Sequence, residues 1–339
     1  MVRSNWAADQ LARGSMSFVY VGASADQRTA LAAPIDDRVF FAGEATSFAY
    51  GGTVQGALES GERVAAELAT IALPGERVTI VGAGAAGARA ARTLTTLGFD
   101  VTVIEGRDRV GGRIHTATSD NWPIPVELGA MLLAAGTDID GVTASRGAVE
   151  TRDGSGAIVE GEASVDNLYG IEPATDGIVT SDFGAIVTEL LRDLQVYLST
   201  TVTGIAHDDD SVSVRLGTGE SLTADRVIVT VPLGVLKEGA IEFSPALPDS
   251  HTTAIAALGM GTVDTIWLRF DEPFWSTFAA TWLLTGTDDD LTTWINLLPL
   301  TGEPILVALV GGDAATRIAA LDHDEVIAAA IEALTPFAA

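Results

Sequence analysis

Val78-Thr79-Ile80-Val81-Gly82-Ala83-Gly84-Ala85-Ala86-Gly87 opens the stretch whose reading decides the fold. Four residues rich in β-branched side chains suit a strand buried on both faces of a parallel sheet, and the run passes directly into G-x-G-x-x-G. Ala88, Ala91, Leu94 and Leu97 then recur at helical spacing until Gly98, and Asp100-Val101-Thr102-Val103-Ile104 reads as a second buried strand. The pattern predicts one βαβ unit. In such a unit the first glycine makes the tight turn, the second admits a pyrophosphate to the backbone, and the third lets helix and strand pack closely. Free N–H groups at the start of the helix hold the phosphates. Glu105 follows the second strand, where a carboxylate accepts hydrogen bonds from a ribose. A glycine-rich turn alone says little in a chain with 36 glycines. Strand, turn, helix, strand and acid in this order predict dinucleotide binding.

The continuation discriminates between dinucleotides. Arg107, Asp108, Arg109, Gly111, Gly112 and Arg113 crowd cations around a glycine pair, a pattern suited to a backbone nest beside phosphate or ribitol. A nicotinamide dehydrogenase has no need of it, so FAD is the expected cofactor. A solvated basic turn is the plainer alternative.

Composition bounds the rest. With 339 residues, 47% of them hydrophobic, the chain can bury a large core in two lobes. No apolar run is long enough to span a bilayer, and Met1 to Gly22 lacks the pattern of a signal peptide, so a cytoplasmic location is expected. Zero cysteines exclude disulfides, thiolate metal sites and a cysteinyl-linked flavin. A net charge of −27 argues against nucleic acid and anionic membrane surfaces as partners. It would steer cationic substrates, although a uniformly acidic solvated surface accounts for it equally. Lys237 is the only lysine, which removes a P-loop. His115, His207, His251 and His323 lack ligand spacing, so no metal is expected. Asp208-Asp209-Asp210 and Asp288-Asp289-Asp290 read as hairpin loops, and Ser15 and Ser17 lack the partners of a hydrolase triad.

A second cofactor-facing element precedes the first in the chain. After a turn and an alternating strand ending near Tyr20, Arg38-Val39-Phe40-Phe41-Ala42 reads as a buried strand running into Gly43-Glu44. A helix follows Gly52-Thr53-Val54 and continues to about Ile71, with Ala57, Ser60, Gly61 and Val64 on its packed face. Its N-terminus would offer N–H groups to a flavin carbonyl.

Phe40 to Thr46 and Gly52 to Ala57 resemble the C-terminal signature of the flavin-containing amine oxidases, the monoamine and polyamine oxidase family. Val78 to Arg113 resembles the N-terminal signature of that family, and Val126-Glu127-Leu128-Gly129-Ala130 the segment after it. Thr201-Val202-Thr203, Val229 to Lys237, Leu258 to Thr262 and Phe270 to Trp275 extend the resemblance over nearly the whole chain. The order differs, because the family's C-terminal part stands first and is joined at Leu73-Pro74-Gly75 to the family's beginning. This reads as a circular permutation, with a fragment spanning two tandem copies as the rival; so short a join favours permutation. The resemblance implies an FAD-binding Rossmann-like α/β fold with a second, mainly β-sheet substrate lobe. Its divisions would be 1–75 for the family's C-terminal segment, 76–146 for the FAD-binding βαβ, 147–181 for a shortened connection, 182–245 for the return to the FAD domain and 246–339 for the substrate lobe. The segment from 147 to 181, where the family carries a long helical lobe, reads as loop.

By the same resemblance FAD, bound non-covalently, would be held by Gly82, Ala83, Gly84, Ala86, Gly87, Glu105, Arg107, Gly112, Arg113, Gly129, Ala130, Met131, Val202, Val231, Gly43, Glu44, Gly52, Thr53 and Val54. Arg113 would lie at phosphate, Glu44 at ribityl hydroxyls, and the Thr53 and Val54 N–H groups at the pyrimidine edge. Met16, Thr53 and Leu133 would line the substrate cavity. An amine would lose a hydride from the carbon beside nitrogen to flavin N5, the imine would hydrolyse, and oxygen would reoxidise the flavin to give hydrogen peroxide. Three departures fall on the substrate side. Thr265 stands where the family has a lysine linked through water to N5, Met16 replaces an aromatic wall, and Met131-Leu132-Leu133 replaces a Trp-containing segment. Lys237 reads as lying in a turn leaving the flavin. A non-catalytic FAD-binding protein descended from an oxidase is therefore the second reading.

Overall fold

A computed structural model describes residues 1–133, 139, 141–142, 144–159 and 176–338. The chain divides into two compact units, each built from separated stretches. One comprises Ala7–Ile114 and Gly184–Met260, the other Met1–Trp6, His115–Phe183 and Gly261–Ala339.

The first unit is organised by a five-stranded, wholly parallel sheet, in the order Gln195–Tyr197, Asp100–Ile104, Arg77–Val81, Arg226–Val229, Val39–Phe41. Its central strands bury successive residues on both faces, as a parallel sheet requires. Val39, Phe41, Val81, Ile104, Val227 and Val229 pack with Ile205, Val212, Val214 and Leu216 of a four-stranded sheet. Helices Val54–Ala69 and Ala85–Thr96 pack against each other, so closely that a Cβ on Gly61 would stand 2.3 Å from Ala86 O. Ala88, Ala91 and Leu94 are buried as their spacing predicts, whereas Leu97 caps the helix end and is 45% exposed before Gly98 turns the chain at φ +89°.

The second unit is a six-stranded sheet in the order Val2–Arg3, Val263–Arg269, Ile305–Gly311, Thr293–Asn296, Thr281–Thr285, Val149–Asp153. Strand alternation sorts its side chains to two faces. Ile266, Leu268, Leu306, Ala308 and Val310 pack with Val326, Ala330 and Leu334 of helix His323–Leu334, where Trp282 stacks on Phe337 at 4.8 Å. Trp267, Val307 and Leu309 pack with Val126, Met131 and Ile178.

Two expectations are corrected. Val149–Asp153, read as loop, is a strand paired in parallel with Thr281–Thr285. Val149 and Thr151 alternate with charged residues, and the Asp153 carboxylate accepts from the N–H of Ser155 at 2.8 Å and of Ala157 at 3.1 Å, closing the turn that follows. Residues 160–175 of that segment lie outside the described ones. Lys237 ends a helix, Leu233–Lys237, and donates to Ala256 O at 3.3 Å, so it is not in a turn. Asp208–Asp210 and Asp288–Asp290 do fall between paired strands.

Candidate cofactor site

The Gly82–Gly87 turn connects the central strand Arg77–Val81 to helix Ala85–Thr96. Gly82 has φ +111°, which excludes most side chains, and a Cβ on Gly87 would stand 2.0 Å from Gly82 O. A Cβ on Gly84 would meet nothing nearer than Gly111 O at 3.9 Å, so the second glycine faces open space where a ligand can approach the backbone. No side chain caps this helix. Its first N–H groups are therefore left to an anion. Ala83 and Ala86 are buried within the turn, and Gly111 N donates to Ala83 O at 2.9 Å, holding the Gly111-Gly112 turn beside the first.

Glu105 is 7% exposed and accepts from Ala83 N and Arg107 N, both at 2.8 Å, with one oxygen each. A carboxylate has about four acceptor sites. Two remain for a ribose diol.

Glu44 contrasts with it. One oxygen accepts from Ser17 N at 3.1 Å and Arg113 Nη1 at 2.9 Å, the other from the Ser17 hydroxyl at 2.6 Å and Gly52 N at 2.7 Å. These four donors make Glu44 a strut between four chain segments. Burial pushes its pKa up, but the guanidiniums and the Ser17 hydroxyl outweigh burial and hold it below the usual range. Arg113, expected at phosphate, instead donates to Glu44 and to Ser15 O at 3.0 Å. Arg107 forks onto Asp9 at 2.7 and 2.9 Å, and Arg109 folds back on the carbonyls of Val110 and Gly112. The cations thus brace the turns rather than stand open. Thr53 caps helix Val54–Ala69 by accepting from Gly56 N at 3.0 Å, and its own N–H closes a turn on Tyr50 O at 3.3 Å.

Gly43, Glu44, Arg113 and Pro232, with the buried Leu31, Phe41 and Leu233, line a small cavity of about 10 Å³ beside this network, room for one water. Met16 is half-buried on strand Met16–Val19, near Gly52, and Val202 begins a strand of the four-stranded sheet. Gly129, Ala130, Met131, Leu133 and Thr265 belong to the other unit. There Met131 O accepts from Val179 N at 2.8 Å, and Leu133 pairs with Gly177. Thr265 lies opposite Leu309, 4% exposed, and its hydroxyl has no hydrogen-bond partner among the described residues.

Sequence reasoning missed Arg28. It is 4% exposed, and its guanidinium donates to the Ser17 hydroxyl at 2.6 Å, Ser17 O at 3.2 Å and Glu44 O at 3.3 Å. The signal was its helical spacing to buried Leu31 and Ala32, which puts a charge on an apolar face. Glu127 was read only as part of a motif. It is 1% exposed, and both oxygens accept from the Thr116 hydroxyl at 2.8 and 2.9 Å while Phe183 N donates at 3.1 Å. Burial, with a smaller contribution from Asp182, raises its pKa to about 7.

Residues 1–69 and 167–338 match the family described as flavin containing amine oxidoreductase. The chain belongs to the flavin-containing amine oxidoreductases. Residues 80–142 of this amine oxidoreductase match an NAD(P)-binding Rossmann-like domain. It is 26% identical to "Probable polyamine oxidase 4" of Arabidopsis thaliana over 73% of this chain and 68% of that protein. It is also 26% identical to "Lysine-specific histone demethylase 1 homolog 3" of Oryza sativa subsp. japonica, over 70% of this chain but 41% of that protein. A putrescine oxidase variant from a redesign of cofactor binding shares the fold, with a TM-score of 0.60 at 17% identity over 79% of this chain and 82% of that one. As a family member the protein is an FAD-dependent, amine oxidase-like oxidoreductase. Its donor set fits FAD: an uncapped helix start for phosphate and two vacant acceptor sites on Glu105 for ribose. Among the described residues no helix is long and apolar enough to cross a membrane, and no cluster of three acids or histidines could hold a metal.

Proposed function

We propose that this oxidoreductase oxidises an amine at its carbon–nitrogen bond, with oxygen as the final acceptor, and releases an imine and hydrogen peroxide. One observation carries the reading: the Gly82–Gly87 turn opens an uncapped helix at the end of a central parallel strand, beside a half-filled Glu105. When bound, FAD supplies the two-electron acceptor. The chain's own residues supply position. The N–H groups opening helix Ala85–Thr96 hold phosphate, and Glu105 accepts from ribose. The unit of Ala7–Ile114 and Gly184–Met260 is the cofactor domain on this reading, and the six-stranded unit is the substrate lobe. Relatives named for polyamines support an aliphatic amine substrate, and a net charge of −27 favours the approach of a cation. We also read the segment order as a circular permutation. Its join is short and hydrogen-bonded, with Gly75 N donating to Gly98 O at 2.8 Å.

Thr265 favours a second reading, FAD binding without turnover. A threonine carries no charge where the resemblance places a lysine, and preorganised charge is usually a large catalytic term. Anaerobic mixing of the yellow protein with a panel of mono-, di- and polyamines separates the two. Bleaching by an amine, then peroxide on admitting air, is the result expected of an oxidase. Colour unchanged by every amine in the panel would refute turnover.

A further inference from the structure

Thr230 directly follows the central strand Arg226–Val229 and has no part in the proposed contacts with FAD, yet it is fastened to the glycine turn. Its N–H donates to Val81 O at 2.9 Å, and its hydroxyl donates to Val81 O at 2.9 Å and Gly82 O at 3.2 Å. The turn closes tightly around that hydroxyl: a Cβ on Gly82 would stand 2.5 Å from Thr230 Oγ1, and one on Gly87 3.1 Å. Val81 O already receives the Thr230 N–H, so the distinct contribution of the hydroxyl is its bond to Gly82 O. Strand pairing alone needs only the N–H, which every residue but proline offers.

The bond matters because of what lies at the other end of the same peptide. In a trans peptide the C=O and the following N–H point in opposite directions. The Gly82 carbonyl meets Thr230, and the Ala83 N–H meets Glu105 Oε2 at 2.8 Å. One peptide is thus clamped from both neighbours of strand Arg77–Val81: by a hydroxyl at the end of Arg226–Val229 and by a carboxylate at the end of Asp100–Ile104. Gly82 sits at φ +111°, a region that glycine enters without strain, and its freedom makes this peptide easy to rotate. Turned over, it would aim the Gly82 carbonyl at the Glu105 carboxylate and withdraw one of the two N–H groups that orient it. The other, Arg107 N at 2.8 Å, holds only the opposite oxygen.

We propose that Thr230 is a positioning residue: by holding the Gly82 carbonyl it keeps the Ala83 N–H on Glu105, and so sets from across the sheet the carboxylate that receives the ribose. The proposal rests on the reading of Glu105 and the Gly82–Gly87 turn as the dinucleotide site. Two consequences separate it from a packing role. Loss of the hydroxyl impairs recognition of the ribose diol in particular, beyond any effect on phosphate. That impairment also requires the Glu105 carboxylate, so it shrinks once Glu105 is neutralised.

The test uses the full chain freed of FAD, as parent, Thr230→Val, Thr230→Ala, Thr230→Ser, Glu105→Gln and the double variant of Thr230→Val with Glu105→Gln. Calorimetric titration gives the ratio of affinities for ADP and for an ADP analogue lacking both ribose hydroxyls, and FAD affinity and melting temperature are read beside it. Thr230→Val, of nearly the same shape without the donor, should lower the ratio about fivefold, and Thr230→Ser should keep it. Glu105→Gln should lower it too, and adding Thr230→Val to that variant should change it by less than about twofold. A Thr230 that only packs would weaken both nucleotides alike, or lower the melting temperature alone, and leave the ratio at the parent value, which overturns the proposal. Equal losses with and without the Glu105 carboxylate overturn it as well. If Thr230→Val does not fold, Thr230→Ala takes its place, and a ratio in Thr230→Ser as low as in Glu105→Gln overturns the proposal whatever the others do. A parent that binds neither FAD nor ADP, or prefers neither nucleotide, sinks the reading of Glu105 and this inference with it. A parent that discriminates, with hydroxyl-free variants that discriminate equally, sinks this inference alone.

Discussion

Raising the pH from 4.5 to 7 should progressively cost this protein stability at one identifiable carboxyl, Glu127. Burial beside Trp267 and Val126 lifts its folded pKa from 4.5 to about 7, and the negative charge of Asp182 adds to the rise. The Phe183 N–H and the Thr116 hydroxyl oppose it without prevailing. Between those pH values the folded state keeps a proton that the unfolded chain has released, so the folded state binds more protons and stability falls as pH increases. The contribution is fully present below 4.5 and lost as pH rises through about 7. At about 1.4 kcal/mol per pH unit, the gap amounts to about 3 kcal/mol. Glu44 and Asp9 act in the opposite sense, since their folded pKa values lie below the ordinary ones and their stabilisation is lost on acidification. The parent curve therefore mixes the two effects, and the informative quantity is its difference from Glu127→Gln. Urea unfolding of both FAD-loaded proteins across pH 4 to 8 supplies that difference. The parent should lose about 3 kcal/mol relative to the glutamine variant over the window. Parallel curves would refute the assignment, because glutamine removes the titration and its loss of one acceptor toward Thr116 shifts the curve by an amount that does not vary with pH.

Thr265→Val should stabilise the chain by about 1 kcal/mol, since an unpartnered buried hydroxyl costs about 1–3 kcal/mol; a loss of stability in urea unfolding would mean that the hydroxyl is bonded after all. Thr265→Lys should speed the return of photoreduced flavin to yellow in oxygenated buffer while FAD affinity holds, and an unchanged rate in a folded, loaded variant would remove Thr265 from the lysine position. Glu105→Ala should strip FAD during gel filtration and lower the stability of the FAD-free protein, because two hydrogen bonds to a carboxylate, worth about 1.5–3 kcal/mol each, are lost. Acid precipitation should leave the flavin in the supernatant, as the chain has no cysteine; flavin in the pellet would contradict this.

The parallel sheet was legible because its signal is local. Val78–Ile104 contains strand, turn, helix and strand in one run, and a continuous apolar stretch gives way to a 3.6 period and returns. The glycines were legible for the same reason, each demanded by a turn or a close approach within ten residues. The partners of the charges were not. Which donors meet Glu44 depends on segments 27 and 69 positions away, and nothing in the order Ser17, Glu44, Arg113 announces that these residues converge. Motif reading therefore gives no sign that Arg113 meets the Glu44 carboxylate. Val149–Asp153 was missed for a different reason. Its acids and the Gly154-Ser155-Gly156 turn resemble a solvated connection, and only pairing with Thr281–Thr285 makes the alternation meaningful.

Pairing at the other edge of that sheet bears on assembly during folding. Val2 and Arg3 pair with Trp267 and Ile266, and Ser4 N donates to Thr265 O at 3.0 Å, across a sequence separation that spans most of the chain. Until this contact closes, strand Val263–Arg269, with all but its last residue buried in the native protein, presents an open, flat and apolar border. Loop-closure entropy delays so distant a pairing, and an uncovered border of this composition templates addition of a strand from a neighbouring chain. Removing Val2–Ser4 should therefore uncover the edge of this tryptophan-bearing strand and increase concentration-dependent aggregation on refolding, read by light scattering.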